Sequence, residues 1–214
     1  MNRDTHQVTF QTWNKVAKLY QEKFMNLNEY EPGFDYFYDA LVRPNADILD
    51  IGCGPGNISK YLLNKNPNLN ITGIDYAPNM IKMAIQNNPN ATYKIMDARD
   101  INKIDSSYDG IVCGFCLPYL SESETAKFIS DSASLLNDNG ILYISFVEGD
   151  PENSGYITGS TGDQTFFYYH QESTILRLTA LKHLVKKKSF SINYKTSSNE
   201  VEIHKIIICQ KSSR

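Results

Sequence analysis

Short apolar runs alternate with segments of helical periodicity through most of the chain. Most of the runs are rich in isoleucine, leucine or valine, which is typical of strands that helices cover on both faces. Strands separated by helices pair in parallel, because each helical crossover returns the chain to the same end of the sheet. The pattern therefore predicts a doubly wound α/β fold. In chain order, its strands are Ile48–Ile51, Ile71–Asp75, Ala91–Met96, Tyr108–Gly114 and Ile141–Ile144.

The segments between these strands carry helix-start signals and apolar faces. Asn57–Asn66 and Asn79–Gln86 follow the first two strands, and Ser121-x-x-Glu124 forms a capping box ahead of a third helix. Helices in these positions supply the crossovers that a parallel sheet requires. The inward positions predicted for the third helix are Phe128, Ser132 and Leu135.

Residues 1–44 precede the first strand and predict a helical cover over one end of the sheet. Apolar side chains recur there at helical spacing in two groups, and the pair Glu31-Pro32 is a suitable start for the second helix. The positions are Trp13, Val16, Tyr20, Phe24 and Leu27 in the first group, and Phe34, Phe37 and Leu41 in the second.

The C-terminal part predicts a long connection and a closing hairpin. Residues 147–170 are glycine-rich and polar at first, and a connection of this length is usually a binding loop or mobile. The lysines at 186–188 fit the solvated end of a helix. Ser189–Tyr194 and Val201–Cys209, joined by Lys195–Asn199, fit antiparallel strands. We expect residues 1–214 to form one domain.

The first predicted strand runs into a glycine turn, Gly52-Cys53-Gly54-Pro55-Gly56, that opens onto a helix. Glycines remove Cβ atoms where a backbone turns sharply and approaches a ligand. The second strand ends in Asp75, about 20 residues further on, where an acid that binds ribose hydroxyls belongs. A dinucleotide fingerprint that starts at Gly52 needs a small residue at position 57, which here is Asn57. The spacing therefore favours a nucleotide-like cofactor other than a dinucleotide.

The segment Asp50-x-Gly52-x-Gly54-x-Gly56 resembles the first motif of class I S-adenosylmethionine-dependent methyltransferases. Ile74–Met80 resembles the acidic second motif of this family, and Lys94–Ala98 resembles its third. The resemblance extends over about residues 45–146. It implies a seven-stranded, Rossmann-like, mostly parallel sheet with an antiparallel last strand, S-adenosylmethionine as the cofactor and a small-molecule acceptor.

The resemblance also implies roles for individual residues. In the family the first acid, here Asp75, takes both ribose hydroxyls, and the second, here Asp97, takes the adenine amino group. Val16–Tyr20 resembles an A-x-x-Y segment whose tyrosine closes over the methionine end of the cofactor. Asp50 holds the glycine turn or reaches the cofactor ammonium through water. The implied cofactor-binding residues are Tyr20, Asp50, Gly52, Cys53, Gly54, Asp75, Tyr76, Met80, Asp97, Ala98 and Cys113.

The acceptor side gives a weaker signal. Phe166–His170 resembles an aromatic stretch that borders the acceptor pocket in small-molecule members of the family, although it equally fits a hydrophobic anchor. His170 is the candidate general base for a hydroxyl acceptor, because histidine titrates near neutral pH; the alternative is a structural hydrogen bond. We assign no chemistry to His6, His183 or His204. Gly114–Tyr119 replaces the Asn-Pro-Pro-Tyr motif of amino-group methylation, so oxygen, nitrogen, sulfur and carbon acceptors all stay open.

Composition and charge limit the remaining classes of function. A net charge of −3 over 214 residues gives no basic surface for a nucleic acid, and no apolar stretch reaches the length of a membrane span. We expect a cytoplasmic protein. The pair Cys113-x-x-Cys116 follows the fourth strand rather than starting a helix, which disfavours a redox motif, and a zinc site would need two further ligands. No metal is therefore expected.

Two alternatives to a methyltransferase stay open. A nicotinamide-dependent oxidoreductase is disfavoured by Asn57 and by the lack of a recognisable set of hydride-transfer residues. A sensor that binds S-adenosylmethionine without catalysis would have the same cofactor motifs. The sequence therefore leaves the identity of the acceptor, and catalysis itself, to experiment.

Overall fold

The computed structural model describes residues 4–26, 28–196 and 199–213. Leu27 and part of the predicted connection Lys195–Asn199 lie outside the described residues. The central sheet has seven strands in the order β3-β2-β1-β4-β5-β9-β8. These strands are β1 (Asp47–Ile51), β2 (Asn70–Asp75), β3 (Thr92–Ile95), β4 (Tyr108–Cys113), β5 (Leu136–Glu148), β8 (Leu184–Lys195) and β9 (Val201–Lys211).

The first five strands are parallel, and β9 lies antiparallel between β5 and β8. Chain order and spatial order reverse between β1 and β4, which is where open α/β sheets bind ligands. The predicted fold class, including the antiparallel last strand, is confirmed.

Six α-helices flank this sheet in the part of the chain that is described. The capping box predicted at the start of the third crossover helix is present, because Ser121 accepts the backbone N–H of Glu124 at 3.3 Å and its own N–H donates to the Glu124 carboxylate at 2.9 Å. The helices are α1 (Thr5–Phe24), α2 (Glu31–Asp39), α3 (Asn57–Lys65), α4 (Pro78–Asn87), α5 (Glu122–Leu135) and α6 (Glu172–Ala180).

The sheet buries an apolar cluster on each face. Alternation along β1 sends Leu49 and Ile51 to one face, where Phe128 of α5 covers them, and Ile48 to the other, where Phe37 of α2 packs. All five of these side chains are 0 or 1 % exposed. The second predicted helix of the N-terminal cover therefore belongs to the core.

Three C-terminal segments differ from the sequence-based expectation. The lysines at 186–188 lie in β8, where an exposed edge strand tolerates charged side chains. β5 begins at Leu136 rather than after the expected turn, with a register shift and a left-handed Asn139 (φ 61°) marking the irregularity. Residues 147–170 contain a hairpin of β6 (Gly155–Thr158) and β7 (Gln164–Phe167).

The β6–β7 hairpin is attached to α1. The backbone N–H of Phe166 donates to Thr9 Oγ1 at 3.0 Å, and Thr12 Oγ1 donates to the carbonyl of Gln164 at 2.5 Å. Lys15 also pairs with Asp163 at 2.8 Å. The long connection and the first helix therefore form one roof over the C-terminal ends of the strands. None of the described helices is both long and apolar enough to cross a membrane.

Candidate active site

One cavity opens where the parallel strands end. Its floor comes from residues that directly follow strands, such as Gly52 after β1, Tyr76 after β2 and Gly114 after β4, and its roof comes from α1 and β7. The lining is His6, Trp13, Tyr20, Phe24, Tyr30, Gly52, Gly54, Asp75, Tyr76, Met80, Met96, Asp97, Ala98, Arg99, Gly114, Phe115, Cys116, Pro118, Tyr119, Leu120, Val147, Phe167, Tyr194, Glu202 and His204.

The glycine turn forms one wall of this cavity. Gly52 and Gly54 both have left-handed backbones, with φ of 65° and 53°. A Cβ atom at Gly54 would lie 3.6 Å from the ring of Tyr20, so this tyrosine covers the turn from α1. At Gly52 a Cβ atom would lie only 2.9 Å from that of Cys116. The backbone can approach a ligand here because no side chain intervenes.

The Asp75 carboxylate joins the end of β2 to the glycine turn. One oxygen accepts the backbone N–H of Gly54 at 3.0 Å, and the other accepts that of Ala77 at 2.8 Å. Burial raises the pKa of Asp75 to about 6, although both N–H donors oppose the shift. Each oxygen keeps a further lone pair for a donor in the cavity, which suits the two hydroxyls of a ribose.

Asp50 lies beneath the turn rather than in the cavity lining. It is 1 % exposed, and one of its oxygens accepts the Ser59 hydroxyl at 2.7 Å. Burial raises the pKa of Asp50 to about 7, with the Ser59 hydrogen bonds opposing. The other oxygen has no partner among the described residues. A buried acceptor without a partner is costly, so this atom fits a bound water or a cationic group near the turn.

Asp97 and Arg99 close the far end of the cavity. The guanidinium contacts the carboxylate through Nη2 at 2.6 Å and through Nε at 3.0 and 3.1 Å, and it also reaches Glu124 at 3.4 Å. His6 of α1 contacts the same glutamate at 2.9 Å. Burial alone would raise the pKa of Asp97, but the hydrogen bonds from Arg99 hold it below its usual value. Asp97 therefore presents a charged acceptor to the cavity.

The two cysteines predicted to bind the cofactor lie outside the lining. Cys53 packs with Ile81 and Ala84 beneath the turn, and Cys113 is fully buried in the core at the end of β4. Cys116 lines the cavity instead. All four cysteines are free thiols, and the described residues contain no cluster of metal-binding side chains.

His170 is also outside the lining. It is 4 % exposed, its Nε2 lies 2.9 Å from the Leu117 carbonyl, and its ring packs edge-on against Phe146. Burial lowers its pKa. A buried ring held by a backbone carbonyl cannot reach an acceptor in the cavity. The structure therefore supports the structural alternative for His170 and not the role of general base.

The cavity lining contains other groups that the sequence analysis did not select. The only feature of the sequence that could have indicated Arg99 is its position two residues after Asp97. Tyr30, Glu202 and His204 come together from opposite ends of the chain, and no local pattern marks that contact. Only the antiparallel insertion of β9 into the sheet brings them to this edge.

The residues present fit S-adenosylmethionine. Asp75 supplies acceptors for hydroxyls, Asp97 supplies an acceptor for an amino group, and the glycine turn leaves room between them. Trp13 also lines the cavity, and its indole N–H is buried without a partner among the described residues. The donor and acceptor pattern therefore matches a cofactor that carries hydroxyls, an amine and a carboxylate.

Residues 48–140 match the family described as "Methyltransferase domain". The protein named methyltransferase 235L of Invertebrate iridescent virus 6 is 31% identical over 137 residues, which are 64% of this chain and 49% of that one. A ubiquinone biosynthesis O-methyltransferase of Xanthomonas campestris is 27% identical over 122 residues, which are 55% of this chain and 49% of that one. The chain thus spans about half the length of these curated relatives.

Solved structures share the fold over nearly the whole chain. Magnesium protoporphyrin IX methyltransferase of Synechocystis PCC 6803, with S-adenosylhomocysteine bound, superposes with a TM-score of 0.72 and 17% identity. The match covers 98% of this chain and 100% of that one. The glycine turn, Asp75 and Asp97 all lie within residues 48–140, the part of this chain that matches the methyltransferase domain family.

Proposed function

We propose that this chain transfers a methyl group from S-adenosylmethionine to a small-molecule acceptor. The observation that carries the proposal is the Asp75 carboxylate, which is tied to Gly54 and Ala77 while facing a cavity with a second, aromatic half. The match of residues 48–140 to the methyltransferase domain family and the similarity to an O-methyltransferase of ubiquinone biosynthesis support it.

When bound, S-adenosylmethionine supplies a methyl group on a sulfonium, which is already an activated leaving group. The chain's own residues then have to bind the cofactor and the acceptor, orient them and exclude water. Asp75 and Asp97 would hold the nucleoside, and the glycine turn would hold the amino-acid end. Tyr20 of α1 would cover that end, because its ring already lies against Gly54.

The roof separates the reacting atoms from solvent. Trp13 makes edge contacts with Tyr20 and with Tyr119, both at 5.4 Å between ring centroids. Phe167 of β7 contacts Tyr119 at 6.0 Å and extends the same apolar surface. Because these rings come from α1, the β6–β7 hairpin and the segment after β4, we infer that α1 and the β6–β7 hairpin act together in closing the site.

Three further parts of the proposal rest on the sequence. The net charge of −3 favours a small molecule over a nucleic acid as the acceptor. The four free thiols agree with a reducing compartment, which supports the cytoplasm. We also treat residues 1–214 as one catalytic domain.

Isotope-labelled methyl transfer tests the proposal. The protein is incubated with methyl-labelled S-adenosylmethionine and a panel of phenols, carboxylic acids, amines and thiols, and the products are analysed by mass spectrometry. We expect label in one class of acceptor. If the cofactor binds and no member of a broad panel is labelled, the chain is a sensor and the proposal of catalysis fails.

A further inference from the structure

Tyr30, His204 and Glu202 form a hydrogen-bonded chain at the edge of the cavity opposite Asp97. The hydroxyl of Tyr30 lies 2.6 Å from Nδ1 of His204, and Nε2 of His204 lies 3.3 Å from the Glu202 carboxylate. All three residues line the cavity. Tyr30 is 3 % exposed and His204 is 7 % exposed, whereas the Glu202 side chain lies at the rim and is 31 % exposed.

The partners fix the direction of these hydrogen bonds. An ionised carboxylate only accepts, so Nε2 of His204 carries the proton that Glu202 receives. Nδ1 is then the unprotonated nitrogen, and the Tyr30 hydroxyl donates to it. This arrangement leaves the Tyr30 oxygen with lone pairs for a donor in the cavity. Burial raises the pKa of Tyr30, so the phenol is protonated at rest.

Aromatic side chains form the walls beside these three residues, and the backbone of one of the aromatic residues is strained. Phe115 has a left-handed backbone (φ 60°), which is unfavourable for a bulky side chain, and the Ser145 hydroxyl holds its N–H at 2.9 Å. Its ring meets that of Tyr30 edge-on at 4.7 Å. The Tyr194 ring stacks on His204 at 4.7 Å and 17°. Flat rings on two sides define space suited to a planar molecule.

The charges around this part of the cavity indicate which kind of acceptor it can bind. Arg99 is the one lysine or arginine among the described lining residues, and it is paired with Asp97 and Glu124 at the other end. The rim beside Tyr30 carries the Glu202 carboxylate instead. An anionic acceptor would meet a negative charge there without a free cation to pair with. The site therefore favours a neutral acceptor that donates a hydrogen bond.

We propose that Tyr30, His204 and Glu202 form a proton relay for a planar aromatic acceptor with a hydroxyl group, a phenol in chemical class. The inference rests on the function proposed above. Tyr30 is the residue that contacts the acceptor. His204 and Glu202 are positioning residues that act through it.

The relay balances as follows. The acceptor O–H bond breaks and its proton passes to the Tyr30 oxygen, while the phenolic proton of Tyr30 passes to Nδ1 of His204. The electron pair left on the acceptor oxygen forms the new O–CH₃ bond, and the pair of the broken S–CH₃ bond stays on sulfur. Glu202 stabilises the resulting imidazolium, which releases its proton to solvent at the rim. Tyr194 from β8, Glu29 beside Tyr30 and Tyr20 from α1 also act electrostatically on Tyr30.

The test uses para-nitrophenol, a phenol that is coloured only when ionised, bound to protein loaded with S-adenosylhomocysteine. We expect the pH midpoint of ionisation of the bound probe to lie about one unit below that of the free probe, because the imidazolium that the relay forms at His204 offsets the Glu202 charge and stabilises the phenolate. Tyr30→Phe removes only a hydroxyl and should abolish this shift, as should His204→Asn. Glu202→Gln should reduce it. His183→Asn is the matched control, because His183 lies exposed in the turn before β8.

Transfer to the same probe gives a second readout. In Tyr30→Phe we expect kcat to fall on the order of 100-fold, with KM within about threefold of the wild type. An unchanged midpoint shift in Tyr30→Phe would overturn the relay, as would binding of benzoate in preference to para-nitrophenol. The affinity of each variant for S-adenosylhomocysteine reports on folding. If the wild type binds the cofactor but does not shift the probe, only the relay fails; if it does not bind the cofactor, the proposed function fails and the relay with it.

Discussion

The Asp75 carboxylate accepts the backbone N–H of Gly54 at 3.0 Å, which fixes the end of β2 to the turn after β1. One side chain therefore shapes the cofactor wall twice, by holding the glycine turn and by presenting oxygen acceptors to the cavity. Neighbouring parallel strands end at the same edge of the sheet, so this contact follows from the register Ile51↔Ile74 between β1 and β2.

Replacing Asp75 should weaken cofactor binding more than it weakens the fold. Asp75→Ala removes acceptors for two hydroxyls and should lower the affinity for S-adenosylhomocysteine by about 1.5–3 kcal/mol. Calorimetry measures the loss, and circular dichroism reports on the fold. Asp105→Ala, at an exposed position away from the cavity, is the matched control. An unchanged affinity in folded Asp75→Ala would contradict the assigned site.

The cofactor affinity should depend on pH through the same carboxylate. Because the pKa of Asp75 is raised to about 6, the empty site is ionised above this pH and protonated below it. Ribose hydroxyls donate to the ionised form, so affinity for S-adenosylhomocysteine should fall as the pH drops below about 6. The profile in Asp75→Ala should be flat over this range. A wild-type profile equally flat from pH 5 to pH 7 would show that Asp75 does not bind the hydroxyls.

The free energy of unfolding should depend on pH through Asp50, in the opposite direction to the cofactor affinity. Its pKa is raised from 3.8 to about 7 in the folded protein, so the native state binds more protons than the unfolded state between these values. Its contribution to the free energy of unfolding is therefore present at low pH and is lost as the pH rises from about 4 to about 7. Asp50→Asn should flatten this slope in urea titrations. A slope that is unaltered in Asp50→Asn would rule out the buried carboxyl as its source.

Gly54→Val should disrupt the cofactor wall for a steric reason. The left-handed backbone at Gly54 costs a β-branched residue about 1–2 kcal/mol, and the new side chain would press against the ring of Tyr20. We expect a loss of affinity for S-adenosylhomocysteine of at least about tenfold, because the valine side chain would occupy space that the ligand needs beside the turn. Gly155→Val is the control, since a Cβ atom there meets nothing within 4 Å. Equal affinities in the two variants would contradict the close approach.

His170 should matter for stability and not for catalysis. His170→Ala removes a buried ring and its hydrogen bond to the Leu117 carbonyl, which then keeps only the backbone N–H of Leu120 as a donor, and this should cost about 1–3 kcal/mol in the free energy of unfolding. In His170→Gln the side-chain amide can donate to the same carbonyl and should restore part of the loss. The kcat of the folded fraction should change little in both variants. A large fall in kcat in a variant whose stability is unchanged would instead show that His170 acts as the general base.

The cofactor half could be predicted from the sequence because its determinants are local. β1 is followed at once by glycines, and β2 ends in Asp75. Because parallel strands end at the same edge of the sheet, both segments contribute to one cofactor site. Cys53 and Cys113 show the limit of this reasoning. They neighbour the cavity lining in sequence, but Cys113 at the end of β4 and Cys53 in the turn after β1 both pack in buried apolar clusters.

The acceptor half could not be predicted because its contacts are long-range. Tyr30 precedes α2, whereas His204 lies in β9, and their contact depends on the insertion of β9 beside β5. The sequence predicts a loop where the β6–β7 hairpin lies, because both strands are short and gain their order from hydrogen bonds to Thr9 and Thr12 of α1. No pattern within either segment alone predicts these contacts.

Calorimetric titration of the wild-type protein with S-adenosylhomocysteine, and in parallel with NAD and NADP, tests the central claim most directly. The account predicts a dissociation constant in the micromolar range for S-adenosylhomocysteine, at one site per chain, and no measurable binding of either nicotinamide cofactor. Tight binding of NAD or NADP without binding of S-adenosylhomocysteine would contradict it.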